Sequence, residues 1–170
     1  MADKYLKVGT GVDPIEESEA TVVSDGAGNG GEIVALNSNG KLDVTVMPQG
    51  FGPGVEAIST SESLVAGDFV NIWDSGGSKA VRKSDATTTG KPADGFVLAG
   101  VSHPGTATVY YEGINDQVTG LTIGPQYLSA TAGKCTATKP TSSGNIQQFV
   151  GTATSATSMV FVRGMSVKLA

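Results

Sequence analysis

The sequence predicts an all-β protein: a small antiparallel β-barrel or β-sandwich of about eight or more short strands, preceded by an extended, largely irregular N-terminal arm. Three observations carry that expectation. Glycine, serine and threonine abound while charged residues make up only 16% of the 170 residues, a balance usual for strands and turns and low for a helical protein. Beyond residue 55 the chain falls into short β-prone runs, each closed by a glycine, a proline or a small polar cluster. Charge is uneven: residues 1–54 hold eight acidic and three basic side chains, whereas residues 55–170 hold eight of each, so the net charge of −5 lies wholly in the first third.

Residues 1–54 read as the arm. Tyr5, Leu6, Lys7 and Val8 suit a brief strand that the sequence GTGVDP breaks, and the acidic IEESE at 15–19 is too short for a stable isolated helix. Thr21, Val22 and Val23 suit another short strand. Residues 24–54 then alternate glycine clusters with small apolar groups at Ile33-Val34, Leu36, Leu42, Val44 and Val46-Met47. This is too little contiguous apolar surface for a core and too much for a solvated linker, so the arm is expected to become ordered against its own body or a partner.

Residues 55–170 read as one compact β domain, long enough to bury a single core. Val55 to Ile58 lead into a strand in which Phe69, Asn71 and Trp73 lie on one face and Val70 and Ile72 on the other. Asp74-Ser75-Gly76-Gly77 turns the chain back into a second strand over 79–83, a hairpin signal. Strands over 95–99 and 106–111 come next, joined by the turn Ser102-His103-Pro104-Gly105. Runs at 126–129, 134–138, 147–154 and 158–162 complete the set, and with turn chemistry between them they read as an antiparallel meander. Cys135, the single cysteine, allows no internal disulfide. No apolar run reaches the length of a membrane span, and MADKYLKVG lacks the apolar core of a signal peptide, so a soluble protein made in the cytoplasm is expected.

Motifs for chemistry are weak. Gly26-Ala27-Gly28-Asn29-Gly30-Gly31 fits G-x-G-x-x-G, but the segment after it, Glu32 to Asn37, is too short and too quickly broken by turn residues to be the helix a dinucleotide site needs. Ser38-Asn39-Gly40-Lys41 fits S-x-x-K, yet an Asn-Gly turn explains it. His103 is the only histidine, which excludes multi-histidine metal sites, and no G-x-S-x-G elbow accompanies it. Cys135, alternating with threonines, reads as a small hydrophobe. Asp68, Asp74, Asp85, Asp94 and Asp116 are scattered, with no calcium loop among them. No cofactor, metal or enzymatic activity is expected. An acidic chain with a neutral body is a poor ligand for nucleic acid. Trp73, Tyr110 and Tyr111 are candidates for stacking on a sugar or a base, although packing is the commoner use of strand aromatics; adjacent in one strand, the tyrosines face opposite ways.

Two stretches resemble phage virion structural proteins, most closely small capsid decoration (cement) proteins, and related modules of phage head and tail fibres. One is AGDFVNIWDSGGSKAVRKSDATTTGKPADGFVLAGVSHPGTATVYYEG: a Gly-Asp-led strand, a variable hairpin, an Arg-Lys loop, a Gly-Phe-Val strand and a terminal Val-Tyr strand ending at glycine. The other combines GLTIGPQYLSATAGKCTATKP with QQFVGTATSATSMVF, and the arm's GGEIVALNSNGKLDVTVMPQGFGPG is similar to a connector in such proteins. The resemblance implies a homotrimer seated between capsomers on the outer surface of the phage head, its arms spreading over the major capsid protein as clamps, with no nucleic acid or membrane as partner. Tyr5, Leu6, Val8, Ile33, Leu42, Met47 and Phe51 are the apolar arm residues available for capsid contact. The alternative is a tail-fibre or receptor-binding module in which Trp73 and one of Tyr110 and Tyr111 line a glycan site.

Overall fold

The computed structural model describes residues 3–9, 12, 14–47, 54–87 and 90–170. Two compact units divide the chain, Met1–Gly52 and Pro53–Ala170.

The first unit holds more regular structure than its composition suggests. β1 (Lys4–Val8) and β2 (Ile15–Glu19) form an antiparallel hairpin in which Lys4 stands opposite Glu19, Lys7 opposite Glu16 and Val8 opposite Ile15. The acidic 15–19 segment is therefore a strand. Opposite charges across the ladder favour the pairing, and the Lys4 ammonium lies 2.6 Å from the Glu17 carboxylate. Beyond the hairpin, Thr21 makes a parallel bridge to Val34, with Thr21 N donating to Ile33 O at 2.9 Å and Ala35 N to Thr21 O at 2.9 Å. The glycine cluster forms a 3-10 turn at Ala27–Asn29 and opens no α-helix. A second such turn spans Val44–Val46, and the Asp43 carboxylate accepts bonds from Thr45 N at 3.0 Å and Thr45 Oγ1 at 2.7 Å. Small polar side chains thus satisfy backbone that has no ladder to join.

The second unit is all-β and sandwich-like. One sheet contains β3 (Val55–Ser59), β4 (Phe69–Asp74), β5 (Lys79–Lys83), β6 (Gly95–Phe96) and β7 (Thr106–Tyr110) in the order β3-β7-β6-β4-β5. The expected β4–β5 hairpin forms, and Gly76 and Gly77 take φ of +68° and +86° in its turn, conformations that glycine adopts without steric cost. Thr60 bridges Val81 on β5, so the sheet curls, but no ladder closes it into a barrel among the described residues.

The other sheet contains β8 (Gly113–Asn115), β9 (Gly124–Leu128), β10 (Cys135–Thr136), β11 (Ile146–Ser155), β12 (Ser158–Phe161) and β13 (Ser166–Lys168). Its order is β10-β9-β11-β12-β8, with β13 also on β11. This corrects the expected meander: β11 crosses to the far edge of β9 instead of pairing with β10, because a two-residue β10 offers too little ladder for a ten-residue strand. The chain leaving β12 stays on β11 through Val162 N to Val150 O at 3.2 Å and Gly164 N to Phe149 O at 3.0 Å, then re-forms a ladder as β13.

Alternation along the strands of the first sheet creates two cores. Phe69 and Phe96 point toward the second sheet and meet Leu128, Val150, Met159 and Phe161, with Phe161 ring centroids 5.9 Å from Phe69 and 5.5 Å from Phe96. Val70, Val81, Val97, Ala107 and Val109 point to the opposite face, where Ile58 and Leu64 complete a second cluster. Polar contacts, one of them through the buried Gln148, fasten the sheets. Gln148 on β11 accepts from Ala93 N at 2.7 Å and donates to Ala93 O at 2.8 Å, and Arg163 reaches Asp94 at 2.6 Å.

Candidate interaction surfaces

Within the first unit, strand alternation places Leu6, Val8 and Ile15 on one face of the β1–β2 hairpin, and these three are 72%, 84% and 62% exposed. Val12, in the connection between the strands, is wholly exposed. An aliphatic patch of this kind on a two-stranded ribbon is surface that a hairpin cannot bury by itself. Leu6 and Val8 were legible in the sequence; Ile15 was missed because its acidic neighbours hid the strand that sets it opposite Val8. Tyr5 faces the other side of the hairpin, half-buried, and its phenolic oxygen is buried without a hydrogen-bond partner. Ile33, Leu42 and Met47 are exposed on separate segments of the same unit, away from regular strands. Phe51 lies outside the described residues.

On the second unit, a shallow groove of about 510 Å³ is lined by Ser59, Ser61, Trp73, Ser78, Lys79 and His103 among others. Trp73 and Lys79 also border an adjoining depression of about 390 Å³ with Ile72 and Asp74. The indole N–H donates to Ser61 Oγ at 3.0 Å, and the Arg82 guanidinium sits 4.4 Å from the ring centroid. Neither tyrosine expected beside Trp73 lines this groove. Tyr110 stacks on Phe96 with centroids 5.4 Å apart, and the Tyr111 hydroxyl donates to Glu56 at 2.6 Å. Burial, and then the bond to Glu56, push the Tyr111 phenol up to about 12. Glu56 also accepts from Lys79, and these two bonds hold its carboxyl below the usual range, Lys79 first.

A third depression, about 340 Å³, lies beside Gly67, Phe69, Val118, Leu121, Lys134 and Cys135. Burial pushes the Cys135 thiol up to about 11, so at neutral pH it is protonated and a poor nucleophile, as a packing residue should be. The Cys135 sulfur lies 3.8 Å from the Met159 sulfur. His103 Nδ1 is 2.9 Å from Thr60 O, a carbonyl oxygen rather than an Asp or Glu carboxylate. Among the described residues no cluster of His, Cys, Asp and Glu is suited to hold a metal ion, and no helix is long and apolar enough to cross a membrane. Comparison with protein-family models, curated proteins and solved structures finds no match to the chain.

Proposed function

We propose that the chain is a phage capsid decoration (cement) protein. In this reading it binds the outer surface of the assembled head between capsomers as a homotrimer, with the N-terminal unit as the clamp. The observation that best supports it is the uncovered aliphatic face of the hairpin, Leu6, Val8 and Ile15, in an acidic unit. The two sequence stretches that resemble virion proteins add to it.

Covering an aliphatic side chain of this size contributes roughly 1.5–3 kcal/mol, so one hairpin face gives a modest attachment. Three arms on one trimer raise that attachment through effective concentration. A protein that binds the assembled lattice and not its unfolded subunits stabilises the lattice by linkage. The acidic arm calls for a basic surface on the major capsid protein, with affinity falling as salt is added.

The test is co-sedimentation with undecorated heads, together with immunogold electron microscopy of virions. Full-length protein should sediment with heads and raise their temperature of disruption, whereas Leu6→Asp combined with Val8→Asp should leave it in the supernatant. Undiminished sedimentation of the double variant, or gold confined to tails, would overturn the reading.

A further inference from the structure

The groove around Trp73 has the chemistry of a carbohydrate subsite, and we infer that it binds a neutral sugar ring. This inference rests on the second unit alone and stands whether or not the capsid reading does.

The platform is fixed before any ligand arrives. Ser61 Oγ takes the indole N–H at 3.0 Å, and Ser61 Oγ itself bonds Val81 O at 3.2 Å. Arg82 lies over the ring at 4.4 Å and is anchored in turn by Asn71 Oδ1 at 3.0 Å and Gly90 O at 3.0 Å. Trp73 itself borders both the groove and the adjoining depression, and Arg82 borders neither. An aromatic ring held at its edge and on one face loses little further freedom when a ligand packs against it.

The polar rim is made of groups suited to sugar hydroxyls. Ser59, Ser75 and Ser78 border the groove, and no protein group holds their hydroxyls among the described residues. His103 is exposed, and its Nδ1 lies 2.9 Å from Thr60 O. A carbonyl oxygen only accepts, so Nδ1 is the donor in that contact, and Nε2 is left for a ligand hydroxyl. Hydroxyls that donate or accept, together with an imidazole nitrogen around an aromatic platform, match a pyranose: its C–H face stacks and its edge forms hydrogen bonds.

Charge selects among ligands with rings. Lys79, the cation that borders both depressions, is paired with Glu56, and Asp74 Oδ1 accepts from Gly77 N at 2.8 Å at the hairpin turn. The site thus offers no unbalanced cation for a sialic acid, a sulfated sugar or a phosphate. The open form of the groove suits an internal unit of a glycan chain and weak, millimolar-range binding that repeated copies would strengthen.

Because Trp73 is the only tryptophan, intrinsic fluorescence of the full-length protein reads the site directly. The probes are maltotriose, cellotriose, mannotriose, chitotriose and lactose, with sialyllactose and an oligothymidylate as charged controls. At least one neutral oligosaccharide should give a saturable change in emission and shift the Trp73 indole resonance in NMR spectra. By calorimetry, Trp73→Ala should weaken that binding by about tenfold or more, the loss expected of a stacking platform. His103→Ala and Ser78→Ala should each weaken it several-fold while circular dichroism and the unfolding temperature stay unchanged; these two decide the matter if Trp73→Ala does not fold. The inference is overturned if no neutral oligosaccharide perturbs Trp73, if binding survives the His103 and Ser78 substitutions, or if only the charged controls bind.

Discussion

Asp68 shows how much one side chain can organise. It is fully buried at the start of β4, where one carboxylate oxygen meets Lys134 at 2.7 Å and the other takes Val65 N at 3.0 Å with Lys83 at 3.8 Å. A carboxylate held by a backbone donor and two cations joins three separate segments, and its amide isostere cannot replace those charge-assisted bonds. Asp68→Asn is therefore expected to cost about 2–4 kcal/mol in urea unfolding, whereas Asp116→Asn, on the exposed surface, should be neutral. Cys135 yields a prediction with a pH sign. Burial raises its thiol from an ordinary 9.0 to about 11, which means the fold favours the protonated form. The resulting stability is fully present below pH 9.0 and is lost as pH rises through about 11, where thiolate formation in the unfolded chain draws the equilibrium. Native protein should react slowly with an aromatic disulfide reagent at pH 8 and far faster in urea; equal rates in the two conditions would show that the thiol is not shielded.

At the scale of elements, Gly151 carries the register of the second sheet. The β9 ladder slips between Phe149 and Gly151, so β11 bulges there, and Gly151 takes φ +136°. A Cβ at that position would stand 2.0 Å from Val160 O and 2.9 Å from Met159 Cε, and the first of these is backbone of the neighbouring strand that cannot step aside. Gly151→Ala should destabilise the protein by about 3 kcal/mol or prevent folding, against a near-neutral Thr152→Ala on the exposed face. The sequence foretold strands with clear local signals, such as β4 and β5 on either side of Gly76-Gly77. It could not reveal that β11 prefers β9 to β10, since that choice depends on ladder length and a bulge between segments distant in the chain. β8 and β13 were missed for a related reason: each is three residues long and becomes a strand only by pairing. The same limit applied to the surface sites. Trp73 could be read as an aromatic on a strand, but the groove it shares draws Ser61 and His103 from connections far apart in sequence.

For the whole molecule, the distribution of apolar burial sets an expectation about independence. Every residue of both hydrophobic clusters, from Ile58 to Phe161, lies in the second unit, while the first unit's aliphatic residues Leu6, Val8, Ile15, Ile33 and Leu42 are all more than half exposed. Hydrophobic burial is the main favourable term in folding, so the second unit should hold its structure without the first. A chain of residues 54–170 is expected to unfold cooperatively with a thermal midpoint within about 5 °C of the corresponding transition in the full protein. The first unit has a two-stranded ribbon and side-chain-capped turns in place of a core, and such structure is marginal in water. Hydrogen exchange on the full protein should accordingly give low protection at Lys4–Val8 and Ile15–Glu19 and high protection along β4 and β11, because the least stable segments open most often. Comparable protection of the hairpin and β11 would mean that the hairpin draws stability from a source its exposed aliphatic face does not reveal, and would remove the reason to expect that face to seek a partner.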